Sequence, residues 1–377
     1  MSKPIDLLVS TADGLYCPEG RFHIDPWRSV ERAVITHAHS DHIVAGCASY
    51  ACSAQGVGVL QERLGLSAAI VGWEYGEAVA MGSVRVSLHP AGHILGSAQV
   101  RVERVAQTAG VRGETWVFSG DYKDQPDSTC QRLEVVRCDV FISESTFGLP
   151  IYRWPGEQEE MARVSTWWKE NAAQGRTSML FAYSLGKAQR LLAGVDPSVG
   201  PIGVHGAVDR FNRIYRAAGV HLPLAVHAAG DEIRRLRGVG LVIAPPSARG
   251  SPWVRKFAGS GSGISAALAS GWMSVRGARR RSAVDRGFIV SDHADWPGLL
   301  TVIAATGASR IGVTHGYVGP LVRWLTESGT DAFAVPTRYT GESGEEAEKA
   351  VESGPDDQTG QQSGDGNDGS APGAISG

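Results

Sequence analysis

The feature that most constrains this chain is a segment of six residues that holds three histidines and one aspartate. It spans residues 37–42, has the order H-x-H-x-D-H, and directly follows an apolar, strand-like run. In an extended segment, residues two apart project to the same side of the chain, so His37 and His39 can bind one metal ion. The alternative is a loop that carries histidines without any metal.

The second half of the same segment offers ligands for a second ion. If the chain turns into a helix near Ile43, Asp41 and His42 project from its first turn. Neutral imidazoles together with a carboxylate suit zinc and also accept manganese or iron. The segment therefore predicts a metal centre whose remaining ligands come from elsewhere in the chain.

Three further candidate ligands each follow an apolar run. His93 lies in the stretch P-A-G-H-I-L-G-S-A, Asp121 follows V-F-S-G, and His315 follows G-V-T. Taken alone, each of these residues would fit a buried or loop position without a metal. Together with the first segment, they complete a site for two ions.

Two secondary-structure patterns alternate along the chain. Short strands dominate up to about residue 150, and this strand-rich pattern returns after about residue 287. Between these parts, amphipathic helices alternate with short apolar runs, which is typical of β-α-β units. We therefore predict a sheet-rich host domain, an inserted domain, the return of the host and a tail, over residues 1–150, 151–286, 287–340 and 341–377.

Hydrophobic periodicity predicts individual elements within these regions. Strands are expected at 33–36, 84–88, 98–105, 115–119, 140–142, 177–181, 201–204, 240–244, 288–290 and 310–313. Helices are expected at 57–64, 157–173 and 208–218. A further helix is expected after Ser184, whose hydroxyl can cap it.

Charge and composition limit the partners and the compartment. The whole chain has a net charge of −3, whereas the tail carries five Glu, four Asp and one Lys, a net of −8, which leaves +5 on residues 1–340. The tail is rich in glycine and poor in apolar residues, so we expect it to be disordered. We find neither a membrane-spanning run nor a secretion signal and expect a cytoplasmic protein with no membrane partner.

The order of the motifs resembles that of the metallo-β-lactamase fold: H-x-H-x-D-H, then A-G-H, then S-G-D, then a late histidine. Three more motifs resemble those of the β-CASP nucleases within that fold, namely S-E-S-T at 143–146, S-D-H-A-D at 291–295 and T-H-G-Y at 314–317. The stretch S-L-G-K-A-Q at 184–189 is similar to one in their inserted domain. The resemblance covers about residues 5–340 and is greatest to bacterial ligase-associated DNA exonucleases.

This resemblance implies a fold and a ligand set. The fold is α/β: a metallo-β-lactamase αββα sandwich with an inserted α/β β-CASP domain. Two divalent metal ions are implied, zinc or alternatively manganese, which share a water and aim it at phosphorus. The implied ligands are His37, His39 and His93 for one ion, Asp41, His42 and His315 for the other, and Asp121 as the bridge.

The resemblance also implies three catalytic residues. Asp41 orients the attacking water, His293 donates a proton to the leaving oxygen, and Glu144 holds the ring of His293.

Just ahead of the S-D-H-A-D motif, a run of arginines suits a phosphate backbone and predicts substrate binding by Arg279, Arg280 and Arg281. A solvated basic turn is the alternative for these arginines.

The implied function is hydrolysis of phosphodiester bonds by a DNA exonuclease, in repair beside an ATP-dependent DNA ligase and a helicase. One departure favours RNA: the eukaryotic DNA repair enzymes of the family generally lack a histidine where this chain has His315, whereas the RNA-cleaving members keep it. An RNA-processing endo- or exoribonuclease is therefore the alternative. A small-molecule metallohydrolase or an inactive binding subunit fits less well, because the chain carries the inserted domain and every implied ligand.

Overall fold

The computed structural model describes residues 6–104, 113–259, 263–277 and 284–338. Two of the regions predicted above lie outside these ranges, namely the acidic tail at 341–377 and the arginines Arg279, Arg280 and Arg281. The described strands form three sheets. Two of the sheets belong to a sandwich and the third to an inserted unit.

The first sheet follows the order of the chain, from β1 to β6. Its strands are β1 (Val9–Thr11), β2 (Gly14–Cys17), β3 (Phe22–Ile24), β4 (Arg32–Val34), β5 (Ser49–Ser53) and β6 (Ile70–Trp73). The strands that follow are β7 (Val79–Met81), β8 (Val84–Pro90), β9 (Ala98–Arg104), β10 (Thr115–Phe118) and β11 (Val140–Ser145). With β18 (Arg310–Gly316) and β19 (Asp331–Ala334) these form the second sheet, in the order β19-β18-β11-β10-β9-β8-β7.

The third sheet is parallel throughout, with the order β14-β13-β15-β12-β16-β17. Its strands are β12 (Thr177–Phe181), β13 (Ile202–Val204), β14 (Val226–His227), β15 (Leu241–Ala244), β16 (Ile264–Ala269) and β17 (Arg286–Phe288). The helices are α1 (Val57–Leu64), α2 (Glu157–Ala173), α3 (Lys187–Gly194), α4 (Gly206–Ala217), α5 (Asp231–Leu236), α6 (Pro252–Arg255), α7 (Trp296–Thr306) and α8 (Val318–Glu327).

Apolar side chains that alternate along the strands hold the first two sheets together. Val84, Val86 and Leu88 point from β8 into a core that also receives Phe22 and Ile24 from the first sheet. Full burial of such a side chain contributes about 1.5–3 kcal/mol. Helices α7 and α8 cover the outer face of the second sheet, and α1 covers the outer face of the first. The predicted αββα sandwich is therefore confirmed.

The inserted unit is fastened to the sandwich by one of its own helices. Helix α4 places Phe211 and Tyr215 in the cluster beneath the first sheet, beside Val59 and Leu60 of α1. The hydroxyl of Tyr215 also accepts a hydrogen bond from the backbone N–H of Leu95, at 3.2 Å. The insert thus contacts the loop that follows β8, and this loop carries His93.

Several predicted elements have the expected bounds, among them α1, α2 and β12. Three expectations are wrong. Residues 40–48 form turns rather than a helix near Ile43. The residue that precedes α3 as its N-cap is Gly186, not Ser184. The strand expected at 288–290 is instead β17, which ends at Phe288 and pairs with β16 of the third sheet.

None of the described helices combines the length and the apolar character needed to cross a membrane.

Candidate metal centre

The candidate ligands meet at one edge of the two host sheets. Strands β10, β11 and β18 are parallel neighbours, so their carboxyl ends meet at the same edge. Asp121 lies three residues beyond β10, and His315 lies near the end of β18. His37 and His93 follow β4 and β8, each three residues after the last strand residue. Strand ends therefore bring together residues that are far apart in the chain.

The first group consists of His37, His39, His93 and Asp121, all buried, with ligand atoms within 4.8 Å of one another. Nδ1 of His39 lies 3.1 Å from Nε2 of His37 and 3.0 Å from Nε2 of His93. The nearer carboxylate oxygen of Asp121 lies 3.6 Å from Nε2 of His37. Three ring nitrogens and one carboxylate therefore converge on a single point.

In two of these rings, the nitrogen that faces away from the ligand group has a hydrogen-bond partner that fixes the tautomer. Nε2 of His39 lies 3.2 Å from the Leu185 carbonyl, and Nδ1 of His93 lies 2.8 Å from the Asp292 carbonyl. Because a carbonyl can only accept, Nε2 of His39 and Nδ1 of His93 carry the proton. In the neutral rings, Nδ1 of His39 and Nε2 of His93 therefore carry lone pairs. Two lone pairs that face each other at 3.0 Å repel unless a cation lies between them.

Burial and the neighbouring histidines lower the pKa of His37, His39 and His93. These rings are consequently neutral at pH 7, which is the form that binds a metal.

The second group consists of His42, Asp121 and His315. Nε2 of His42 lies 3.4 Å from one carboxylate oxygen of Asp121, and Nδ1 of His315 lies 3.6 Å from the other. Within the described residues, His42 Nε2 and Asp121 Oδ1 are buried and have no hydrogen-bond partner. Since buried polar atoms are rarely left unpaired, this donor set fits a cation shared through Asp121. Asp41 lies beside this group, 3.7 Å from Nε2 of His42, and its role as a ligand stays a prediction.

Two residues that sequence reasoning missed hold the rings of the H-x-H-x-D-H segment. Asp25 accepts a hydrogen bond from Nδ1 of His42 at 2.7 Å, and it also accepts from the backbone N–H and the hydroxyl of Thr36. The Thr36 hydroxyl lies 3.1 Å from Nδ1 of His37. Asp25 directly follows β3, so the rule used for the other ligands, a polar residue at the end of an apolar strand, would have found it.

A β-bulge directs His315 into the site. Glu144 pairs with Thr314, but the next residue, Ser145, pairs with Gly316, so His315 is the extra residue. Its φ of +48° lies in the left-handed region, which is costly for a residue with a side chain. Bulges of this kind re-aim a side chain, and here the side chain reaches Asp121.

His293 lies beside the first group, with its ring centroid 4.7 Å from that of His93. Its Nδ1 lies 2.9 and 3.0 Å from the two carboxylate oxygens of Glu144, which is itself buried. Burial alone would lower the pKa of His293, but Glu144 and Asp121 outweigh it and raise this pKa to about 9. The structure thus brings together the predicted pair, while the roles assigned to the two residues stay predictions.

Comparison with known proteins gives relatives for most of the chain, although no family model matches it. The chain is 31% identical over 328 residues to a probable DNA ligase from Opitutus terrae, across 87% of this chain and 31% of that protein. It is 27% identical over 284 residues to Endoribonuclease YSH1 from Gibberella zeae, across 67% of this chain and 32% of that protein. It therefore spans about a third of the length of these two curated relatives.

Two further similarities are more distant. Transcription termination factor FttA from Lokiarchaeum sp. is 24% identical over 143 residues, across 36% of this chain and 22% of that protein. Among solved structures, a protein of unknown function from Enterococcus faecalis V583 matches with a TM-score of 0.52 at 12% identity, over 82% of this chain and 80% of that one. The second similarity concerns the fold alone.

Proposed function

Since this chain belongs to the β-CASP group of the metallo-β-lactamase fold, we propose that it is a metal-dependent hydrolase of phosphodiester bonds in nucleic acid. The observation that carries this proposal is the convergence of ring nitrogens on Asp121, with the His293–Glu144 pair beside them. A hydrolase of phosphodiesters needs cations to neutralise the phosphate and an acid to protonate the leaving oxygen. Both needs can be met within a few ångströms here.

The ligand sets proposed are His37, His39 and His93 for one ion and Asp41, His42 and His315 for the other, with Asp121 between them. The predominance of ring nitrogens favours zinc, with manganese as the alternative. Two such ions would supply Lewis acidity, which makes water nucleophilic at neutral pH and neutralises the phosphate charge.

The protein itself supplies orientation and protons. Glu144 holds Nδ1 of His293, so Nε2 is the nitrogen left to give a proton to the oxygen that leaves phosphorus. Asp41, which is partly exposed beside His42, would accept a hydrogen bond from the attacking water and so orient it. Asp25 and the backbone carbonyl groups of Leu185 and Asp292 would keep the ligand rings in place.

For the substrate, we propose DNA, degraded from an end, in repair beside a DNA ligase. Two points support this choice. The chain resembles the ligase-associated exonucleases, and 87% of it aligns with one part of a protein named as a probable DNA ligase. RNA is the second candidate, because other relatives are named as endoribonucleases and the chain has His315.

One assay tests the reaction and separates the two substrates. The purified full chain is incubated, with zinc and with manganese, with matched DNA and RNA strands labelled at the 5′ end or at the 3′ end. We expect single nucleotides to be released from one end of DNA, and slower or no release from RNA. Faster cleavage of RNA, or cleavage at internal positions, would replace the DNA exonuclease with the ribonuclease.

Substitution of Asp121, the carboxylate that both ligand groups share, tests the proposed metal site. Asp121→Ala should abolish cleavage of either nucleic acid and lower the bound metal, because Asp121 lies in both ligand groups. Metal content is measured by elemental analysis beside the rate, and Asp196→Ala, a change at an exposed aspartate, is the control. Hydrolysis near the wild-type rate by Asp121→Ala would disprove the two-metal site.

A further inference from the structure

A network of six charged side chains, five of them buried and Glu157 partly exposed, joins the inserted unit to the segment that carries His293. It contains three cations and three carboxylates, so its formal charge is balanced. Its members are Lys123, Asp127, Glu157, Lys187, Arg190 and Asp292. The first two follow β10 in the host, Glu157 begins α2, the next two lie on α3, and Asp292 lies between β17 and α7.

Arg190 is the centre of this network. Its side chain is 5% exposed. Its guanidinium donates to both carboxylate oxygens of Glu157, at 3.2 and 2.7 Å, and lies 3.4 Å from Asp127. The remaining nitrogen donates to the backbone carbonyl of Ser291 and lies 3.5 Å from the carboxylate of Asp292. A planar fork with several fixed donors can satisfy all of these partners at once, whereas an ammonium group cannot.

The segment held by Arg190 is the one that orients a candidate ligand. Residues 289–295 form neither helix nor strand, so no ladder of backbone hydrogen bonds fixes them. The backbone carbonyl of Asp292 nevertheless accepts a hydrogen bond from Nδ1 of His93 at 2.8 Å. This contact turns Nε2 of His93 toward the first ligand group. The carboxylate of the same Asp292 forms ion pairs with two cations of α3, Arg190 at 3.5 Å and Lys187 at 3.7 Å.

We propose that Arg190 is a positioning residue for His93, and that helix α3 of the inserted unit thereby sets the metal affinity of the His37–His39–His93 group. Stability alone does not account for the network, because buried ion pairs seldom stabilise a fold more than apolar side chains of similar volume. Its geometric consequence is specific. It fixes the Asp292 carbonyl, and this carbonyl holds a ring of the first group but none of the second. The inference rests on the metal binding in the proposed function.

The test compares the two ligand groups within one protein. Metal-free full chain is titrated with zinc in competition with a chromogenic chelator, which yields two binding constants. We expect Arg190→Gln and Arg190→Lys to weaken one constant by up to about 10-fold. This is the lower end of the roughly 10- to 100-fold effect of losing a direct partner of a metal ligand, because Arg190 acts on His93 through the Asp292 carbonyl. The other constant should stay within about twofold. His315→Ala identifies the second group, because it weakens the constant that the Arg190 variants leave unchanged.

Two controls make the outcomes decisive. Arg213→Gln removes an arginine from an exposed pair with Asp209 on α4 and should change neither constant. Arg190→Lys keeps the positive charge but removes the planar guanidinium group. It therefore tests the hydrogen-bonding geometry of that group even where Arg190→Gln fails to fold. Equal weakening of both constants, or of neither, would overturn the proposal. Wild-type protein that binds no zinc or manganese would instead overturn the proposed function.

Discussion

Most histidines in this site use one ring nitrogen in a hydrogen bond to another group of the protein. The chemical nature of that group determines whether the other ring nitrogen carries a proton or a lone pair. Carbonyl partners, as for His39 and His93, fix a neutral tautomer and leave a lone pair for a metal. His293 has a carboxylate partner instead, with both oxygens of Glu144 within 3.0 Å of Nδ1. A buried anion so close favours the protonated ring, which can donate a proton from Nε2. A carboxylate partner does not by itself exclude a ligand, since His42 also has one in Asp25 while its Nε2 faces Asp121.

The pKa of His293 predicts a pH dependence of the reaction. This pKa is raised to about 9, since Glu144 and Asp121 outweigh burial. A general acid works only while protonated, so the rate should fall as the pH rises through about 9. Glu144→Gln keeps an acceptor for the ring but removes the charge, so the alkaline fall should move to lower pH by about one to three units. Single-turnover rates between pH 6 and 10 measure the shift.

His293→Ala is the matched control for this profile. It should retain both metals yet lose about 100- to 10,000-fold in rate, the usual span for general acid catalysis, and the alkaline fall should disappear. An alkaline fall that stays at the same pH in Glu144→Gln would show that His293 does not deliver the proton.

At the scale of elements, the ends of strands determine the site, and this is why much of it could be predicted. The apolar runs before His93, Asp121 and His315 are strands β8, β10 and β18, and the edge at which they end is where these residues meet. Local patterns are sufficient for such strands because their burial is encoded in consecutive residues. The helix α2 was predictable for the same reason, from its helical period.

What could not be predicted depends on contacts between distant residues. The bulge at His315 arises from the register between β11 and β18, which no local pattern encodes. The start of α3 depends on Gly186, whose positive φ brings the chain against Ile94 of the host. Ser184 was a reasonable cap by residue type alone, but packing between the two units shifted the start of the helix to the glycine.

This contact at Gly186 gives a prediction for α3. A Cβ at Gly186, where φ is +87°, would collide with the side chain of Ile94. Gly186→Ala should lower the free energy of unfolding by about 1–2 kcal/mol for the backbone and about 1–3 kcal/mol more for the overlap. It should also weaken zinc binding, since the Leu185 carbonyl that holds His39 is the preceding residue. Urea unfolding and zinc titration measure the two effects.

Gly219 supplies the control, because its φ of +86° is the same within a degree but a Cβ there would meet nothing within 4 Å. Gly219→Ala should therefore show only the backbone cost and an unchanged affinity for zinc. Equal losses of stability in the two variants would mean that the overlap with Ile94 is relieved at no cost.

At the scale of the whole molecule, the site lies where the two host sheets and the inserted unit meet. The insert reaches it in three ways: α4 packs Phe211 and Tyr215 beneath the first sheet, the Leu185 carbonyl accepts a hydrogen bond from His39, and α3 supplies Arg190. None of these contacts could be predicted from the sequence, although the existence of the insert and its parallel β-α-β units could. The reason is that helix periodicity identifies an apolar face but not the surface that covers it.

The last prediction concerns residues 341–377, which the structure does not describe. The apolar clusters of the described chain are formed by residues up to Val335, and this C-terminal segment offers only six residues of the hydrophobic set among 37. Its deletion should therefore leave the melting temperature and the rate of hydrolysis within error of the full chain. Removal of a net charge of −8 should also leave KM for nucleic acid unchanged at physiological salt, where exposed charges are screened beyond about 8 Å. Thermal unfolding and steady-state kinetics of the chain truncated after residue 340 measure all three quantities. A large fall in melting temperature would mean that the segment packs on the body, and a fall in KM would mean that it competes with the polyanionic substrate.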